Sequence, residues 1–88
     1  MAVLKRFPLG EIVVAIGASA LGIDFTSYLE RHQSGDWGDL SGENAEINDL
    51  CIDKNFPLVS MYSVNQKSFL IVTEWDRSVT TICTPDEY

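Results

Sequence analysis

The chain has 88 residues, which suits one domain over residues 1–88 and lets folding bury about two-thirds of the surface that the unfolded chain exposes. Apolar residues make up 45% of the sequence and charged residues 22%, a composition that excludes a disordered protein. The net charge is −7, from 13 acidic residues against six lysines and arginines, and such a field repels phosphate backbones. We therefore expect no direct binding of nucleic acid.

The first predicted element lies in an apolar stretch that follows Lys5 and Arg6. Residues 10–16 alternate β-branched and small side chains, a pattern typical of a buried strand. The basic pair and the apolar residues 12–23 loosely resemble a secretory signal, but a proline, a glycine and a glutamate interrupt it. Twelve apolar residues cannot span a bilayer, so we expect a cytoplasmic protein without membrane contact.

A short helix is predicted next, with Asp24 as its N-cap. Its apolar face follows at i, i+3, i+4 and i+7, with Phe25, Tyr28, Leu29 and His32. This spacing places His32 at the helix C-terminus, where it can cap carbonyl groups and interact favourably with the helix dipole.

A second helix is predicted over residues 42–54, with Ser41 as its cap. Its inner face is assigned to Ile47, Leu50 and Cys51. One acidic stripe lies beside that face, formed by Glu43, Glu46, Asp49 and Asp53. A stripe of this kind attracts a basic protein surface, and these four residues are our first candidates for partner binding.

Three strands are predicted at residues 58–64, 69–75 and 79–84. The order β-α-α-β-β-β indicates an α+β domain in which two helices pack on a mainly antiparallel sheet. Both faces of these strands are apolar, and two helices can cover only one of them. We therefore expect Phe69, Ile71 and Trp75 to face a protein partner or a second copy in a homodimer.

The loop at residues 35–39 contains two glycines, two aspartates and Trp37. We predict that Trp37 fills the edge of the core, and that the two aspartates lack the spacing of a calcium loop. Cys51 and Cys83 stand far apart without a further Cys or His nearby, so free thiols are expected and neither a metal nor a cofactor is predicted.

Two interpretations stay open for the polar corner at residues 74–78. In the first, Glu74 and Arg77 form an ion pair or bind backbone groups of the turn, and neither residue is catalytic. In the second, the element order is similar to that of RelE and barnase-like ribonucleases. His32 would then act as acid or base, Glu74 as base, Arg77 on the phosphate and Thr80 as a hydrogen-bond donor.

A series of short motifs runs through the sequence: Phe7-Pro8-Leu9-Gly10, Arg31-His32, Gly35-Asp36-Trp37-Gly38, Asn48, Ser60-x-Tyr62, Thr73-Glu74-x-Asp76-Arg77-Ser78-x-Thr80-Thr81 and Pro85-x-Glu87-Tyr88. With these motifs the whole chain resembles a family of small bacterial proteins found on plasmids and integrated mobile elements. Trp75 stands where that family commonly has alanine. Members are often labelled type I restriction endonuclease subunit M, which implies a methyltransferase subunit. A chain of 88 residues without a glycine-rich strand-to-helix turn does not fit that label.

The resemblance therefore implies a protein of mobile elements and supplies no activity. Taken with the acidic helix and the apolar sheet face, it predicts a small non-catalytic accessory protein that binds a protein partner. The expected partner presents a basic surface, and the expected outcome is inhibition of a host defence or nucleic-acid-handling system. The alternative is the ribonuclease built on His32, Glu74, Arg77 and Thr80.

Overall fold

The secondary structure follows the predicted order and adds two short helices, one α-helix after the first strand and one 3-10 helix after the last. A computed structural model describes residues 5–40 and 42–88. The elements in chain order are strand β1 (Glu11–Val14), helices α1 (Ile16–Ser19), α2 (Thr26–Gln33) and α3 (Gly42–Cys51), strands β2 (Leu58–Val64), β3 (Lys67–Thr73) and β4 (Val79–Cys83), and a 3-10 helix (Pro85–Glu87). The protein is an α+β domain, as predicted. Within these described ranges, no helix has the length and apolar character needed to cross a membrane.

Helix α2 begins one residue later than predicted, with Phe25 as its N-cap instead of Asp24. The Asp24 carboxylate still accepts a hydrogen bond from the backbone N–H of Thr26, at 3.0 Å. The predicted N-cap of α3, Ser41, lies outside the described residues.

The four strands form one sheet in the order β1-β4-β3-β2, with β1 parallel to β4 and the other two pairs antiparallel. The β2–β3 hairpin turns through Asn65 and Gln66, whose φ angles of 50° and 67° are those of a tight two-residue turn. This turn lets β3 begin at Lys67, two residues earlier than predicted.

Strand β1 is an exposed edge strand, so the prediction of a buried strand here is wrong. Its apolar residues Ile12, Val13 and Val14 are 41–42% exposed. An edge strand has a neighbouring strand on only one side, and here that neighbour is β4. Alternating apolar residues predicted a strand correctly but could not show its position in the sheet.

The helices cover the sheet face that the sequence predicts to bind a partner or a second copy. Phe69 and Ile71 are fully buried, and the side chains packed on their cluster come from the chain itself, including Ala18, Phe25, Tyr28 and Leu29. The expected interface of Phe69, Ile71 and Trp75 is therefore wrong for the first two residues. Trp75 lies beyond the end of β3 and is 55% exposed.

Helix α3 is rotated relative to the prediction. Its buried residue is Asn48, while Ile47 is 51% exposed and Leu50 68% exposed. The Asn48 side chain donates to the carbonyl of Val59 at 2.7 Å and accepts from its N–H at 3.4 Å. Asn48 thereby satisfies backbone groups of β2, and this requirement turns Ile47 and Leu50 to the outside.

Candidate functional site

The core contains one histidine at the end of α2, and it is fully buried. Its Nδ1 lies 2.5 Å from the Ser60 hydroxyl on β2, and its Nε2 lies 2.9 Å from the Thr73 hydroxyl on β3. The predicted interaction of His32 with the helix C-terminal carbonyls is not what the structure shows. Both ring nitrogens are instead occupied by hydroxyl groups of the sheet.

These contacts belong to a longer chain of hydrogen bonds in which every proton can be assigned. Thr80 donates to the carbonyl oxygen of Leu9 at 2.7 Å. A carbonyl oxygen can only accept, so the direction of this hydrogen bond is fixed. The Thr80 oxygen therefore accepts from Thr73 at 2.8 Å, and the Thr73 oxygen accepts from Nε2–H of His32. The lowered pKa of His32, about 3, makes the imidazole neutral at pH 7, so its Nδ1 accepts from the Ser60 hydroxyl. We call this series, from Ser60 to the Leu9 carbonyl, the His32 chain.

The surroundings of the His32 chain favour the neutral imidazole. The rings of Phe7 and Trp37 meet the imidazole edge to face, with centroids 5.2 and 5.5 Å away. Burial and, second, the charge of Arg77 lower the pKa of His32 from 6.5 to about 3. The chain of hydrogen bonds therefore joins α2 to β2, β3, β4 and the segment before β1 without carrying a charge.

Ser60 and Thr73 belong to the sequence motifs, but the sequence does not predict their contact with His32. Both occupy inward positions of apolar strands: Ser60 lies between the core residues Leu58 and Tyr62, and Thr73 follows Phe69 and Ile71 at the end of β3. A buried hydroxyl without a hydrogen-bond partner is unfavourable. A polar residue within an inward row of apolar residues therefore indicates a buried hydrogen bond, and this signal could have identified Ser60 and Thr73 as members of one.

Arg77 binds backbone carbonyl groups of two segments. Its φ angle is 61°, in the left-handed region, and the turn directs the guanidinium toward the end of α3. Six carbonyl oxygens lie 2.6 to 3.4 Å from its Nη1 and Nη2, those of Cys51, Ile52, Lys54, Phe56, Glu74 and Trp75. The last carbonyls of a helix have no partner within that helix, and Arg77 supplies one.

This arrangement matches the backbone-bonded form of the predicted corner. The ion pairs among the described residues are Arg6–Asp49 and Arg31–Asp36, so the other predicted form, an ion pair between Glu74 and Arg77, is not seen there. Glu74 is exposed. It contributes its carbonyl to Arg77 at 3.0 Å.

The four residues of the ribonuclease interpretation do not meet at one surface. His32 and Thr80 are fully buried, with their polar atoms joined to Ser60, Thr73 and the Leu9 carbonyl. Glu74 faces solvent, while the Arg77 guanidinium is occupied by carbonyl groups. In this fold a phosphodiester could not contact His32 and Glu74 together.

The loop after α2 is held by a second set of polar contacts. Arg31 pairs with Asp36 at 2.8 Å and lies over the ring of Tyr62, 4.8 Å from its centroid. The Tyr62 hydroxyl donates to the Asp36 carbonyl at 2.5 Å. Trp37 is 4% exposed, which confirms its predicted burial, and its Nε1–H donates to the Asp49 carboxylate at 2.9 Å.

Asp49 therefore differs from the other acidic candidates of α3. It binds Trp37 and lies 3.6 Å from the Arg6 guanidinium. Glu43 and Glu46 on α3 are exposed, as is Asp53, which lies two residues beyond the end of the helix. With the exposed Ile47 and Leu50, these three carboxylates form what we call the acidic helix surface.

Among the described ranges, 5–40 and 42–88, no group of three or more His, Cys, Asp or Glu residues is placed to hold a metal ion. Both cysteines there are free thiols. No protein-family model matches the chain, and no curated protein and no solved structure matches it either. The functional assignment therefore depends on residue geometry and charge.

The buried neutral histidine predicts a loss of stability in mild acid. The unfolded chain takes up a proton near pH 6.5, whereas His32 in the folded protein does so only near pH 3. Unfolding is then coupled to proton uptake between these values, so stability falls as the pH drops below 6.5. We expect a loss of about 2 kcal/mol between pH 7 and pH 5, measured by urea denaturation.

The carboxyl groups allow a control, because their effect lies at lower pH. The pKa values of Asp24, Asp36, Asp76 and Glu87 are lowered from 3.8 or 4.5, so these groups act below about pH 4.5. His32 is the single histidine of the sequence, and its imidazole NMR signals can be followed without ambiguity. An imidazole that titrates near pH 6 in the folded protein would contradict the prediction.

Proposed function

We propose that this protein is a non-catalytic accessory protein of mobile elements that binds a protein partner through the acidic helix surface. We further propose that the partner presents a basic surface, belongs to a host defence or nucleic-acid-handling system, and is inhibited by the binding. The observation that supports the proposal best is the rotation of α3, which exposes Ile47 and Leu50 among three carboxylates.

The composition of the acidic helix surface suits a protein interface. Leu50 and Ile47 are exposed on a helix whose inner side is already packed by Ala45 and Cys51. Burying them against a partner would gain free energy in proportion to the apolar area removed from water. The surrounding carboxylates would guide a basic partner toward the surface and disfavour acidic ones.

Arg77, which binds the last carbonyl of the same helix, also binds the backbones of two exposed aromatic residues. Phe56 and Trp75 are each 55% exposed. Their carbonyl oxygens lie 2.6 and 3.4 Å from the same Arg77 nitrogen, so Arg77 holds their backbones side by side. Large aromatic residues contribute strongly to binding at protein interfaces, and this pair would extend the acidic helix surface.

The proposal is tested by capturing partners from a lysate of the native host with the tagged protein, after nuclease treatment. Glu43→Lys/Glu46→Lys should lower recovery of the specific partner at least about tenfold, because it reverses the charges that face a basic surface. Leu50→Ser should lower it as well, because the exposed apolar contact is lost. Quantitative mass spectrometry measures recovery, and titration calorimetry with the purified partner then measures affinity.

Matched variants separate this surface from a general effect of charge. Glu30→Lys/Asp86→Lys makes the same change in net charge at two other exposed positions, and Ile16→Ser removes an apolar residue that is 88% exposed. Both controls should bind as the wild type does. A partner that is lost on nuclease treatment, or that all variants recover equally, would contradict the proposal.

A further inference from the structure

The two edges of the sheet differ in how they are covered. At the β2 edge, Met61 exchanges backbone hydrogen bonds with the loop: its N–H donates to the carbonyl of Trp37 at 3.2 Å, and its carbonyl accepts from Asp39 at 2.6 Å. Asn48 binds both backbone groups of Val59 on the same strand. The described part of the chain thus covers the β2 edge and leaves β1 at the other edge of the sheet.

The backbone of β1 has hydrogen-bonding groups directed away from the sheet. Glu11 and Ala15 donate to the carbonyls of Ser78 and Ile82, so odd-numbered residues face β4. Because backbone groups alternate along a strand, the N–H and C=O of Ile12 and Val14 point to the open side. Among the described residues, β4 is the one strand that pairs with β1.

Strand β1 has part of the protection that is usual at an edge, because it has only four residues and begins with Glu11. It lacks the lysine, the proline and the bulge that protect many other edges. Here three consecutive β-branched residues, Ile12, Val13 and Val14, are 41–42% exposed. A continuous apolar edge of this kind favours pairing with another strand.

We propose that β1 pairs antiparallel with β1 of a second copy, so that two four-stranded sheets join into one across a two-fold axis. With the axis at Val13, Ile12 of each copy lies opposite Val14 of the other. All outward N–H and C=O groups of these residues are then used, in four hydrogen bonds. Glu11 lies opposite Ala15 in this register, so like charges do not meet.

The charge distribution favours a second copy at this edge rather than at α3. Strands in a sheet are about 4.8 Å apart, so β2, with α3 beside it, lies roughly 14 Å from β1. The acidic helix surfaces of two copies joined through β1 would then be at least about 28 Å apart, well beyond the Debye length of about 8 Å at physiological salt. Contact through α3 would instead bring equal charges together.

Hydrogen exchange tests the pairing without any substitution. Ile12 and Val14 amides should exchange rapidly in dilute protein and become protected as the concentration rises from about 10 µM to about 1 mM, a range suited to a small interface. The amides of Glu11 and Ala15 should be protected throughout, because they bind β4. Sedimentation over the same range should show a monomer–dimer equilibrium.

Two substitutions at the edge should weaken the dimer by different means. Val13→Lys places two lysines opposite each other at the axis. Val14→Pro removes an outward N–H while leaving the hydrogen bonds to β4 intact. Each should raise the dissociation constant at least about tenfold, with circular dichroism confirming that the variant is folded.

Leu50→Lys is the matched control, since it adds the same single charge on the acidic helix surface. It should leave dimerisation unchanged, and its effect on partner capture tests the proposed function independently. A protein that stays monomeric up to about 1 mM, or a dimer lost in Leu50→Lys and kept in Val13→Lys, would overturn the pairing through β1.

Discussion

Replacing Trp37 with alanine is expected to lower the free energy of unfolding by about 3 kcal/mol or more. Trp37 is 4% exposed and stacks on Phe7, with ring centroids 6.1 Å apart. It also packs with Leu58 in the second core cluster and meets His32 edge to face. In a domain of this size each 1 kcal/mol shifts the melting temperature by about 4–8 °C, so the melting temperature should fall by roughly 15 °C.

Trp37→Phe separates packing from the indole hydrogen bond. Phenylalanine fills much of the same space and loses the donor to Asp49, whose side chain is half exposed and can bind water instead. Its cost should therefore be about 1 kcal/mol, well below that of alanine. Circular dichroism should follow the unfolding of both variants, because removing Trp37 also removes part of the protein's intrinsic fluorescence signal. An alanine variant that melts at the wild-type temperature would show that Trp37 is not a core residue.

Local sequence pattern was sufficient for most of the secondary structure. Strand β2 has the predicted bounds, because the alternation from Leu58 to Val64 ends at a turn-forming Asn65. Helix α2 has the predicted spacing and differs from the prediction by one residue at each end. The burial of Trp37 follows from a large aromatic residue in a loop rich in glycine.

The errors concern which surfaces are covered, and local pattern carries no such information. Alternation showed correctly that Phe69 and Ile71 share a face, but the position of the helices decides that this face is the core. The rotation of α3 depends on Asn48 and a strand that begins ten residues later along the chain. The partners of His32 are 28 and 41 positions away, so its role could not be read from its neighbours.

Many positions of the short motifs in the sequence hold the fold together. His32, Ser60, Thr73 and Thr80 form one chain of hydrogen bonds, and Arg77 closes the end of α3. Residues of this kind specify an architecture more directly than a chemistry. The residues of the acidic helix surface are absent from those motifs.

Replacing Arg77 with alanine is expected to cost about 3 kcal/mol, through the loss of its bonds to six carbonyl groups. Some of these oxygens can bind water after the change, while the part-buried carbonyls of Cys51 and Ile52 lose their partner. Arg77→Lys should recover little of the loss, because one ammonium group cannot replace the planar fork of five donors. Urea denaturation of the three proteins measures these differences.

Arg77→Gly serves as the control for the backbone. The φ angle of 61° is unfavourable for alanine and costs glycine nothing. The glycine variant should therefore be about 1 kcal/mol more stable than the alanine variant while still falling well below the wild type. Bulk RNA should be assayed with the same samples. A wild type that cleaves RNA, together with an alanine variant that has lost cleavage at unchanged stability, would assign Arg77 to catalysis and favour the ribonuclease.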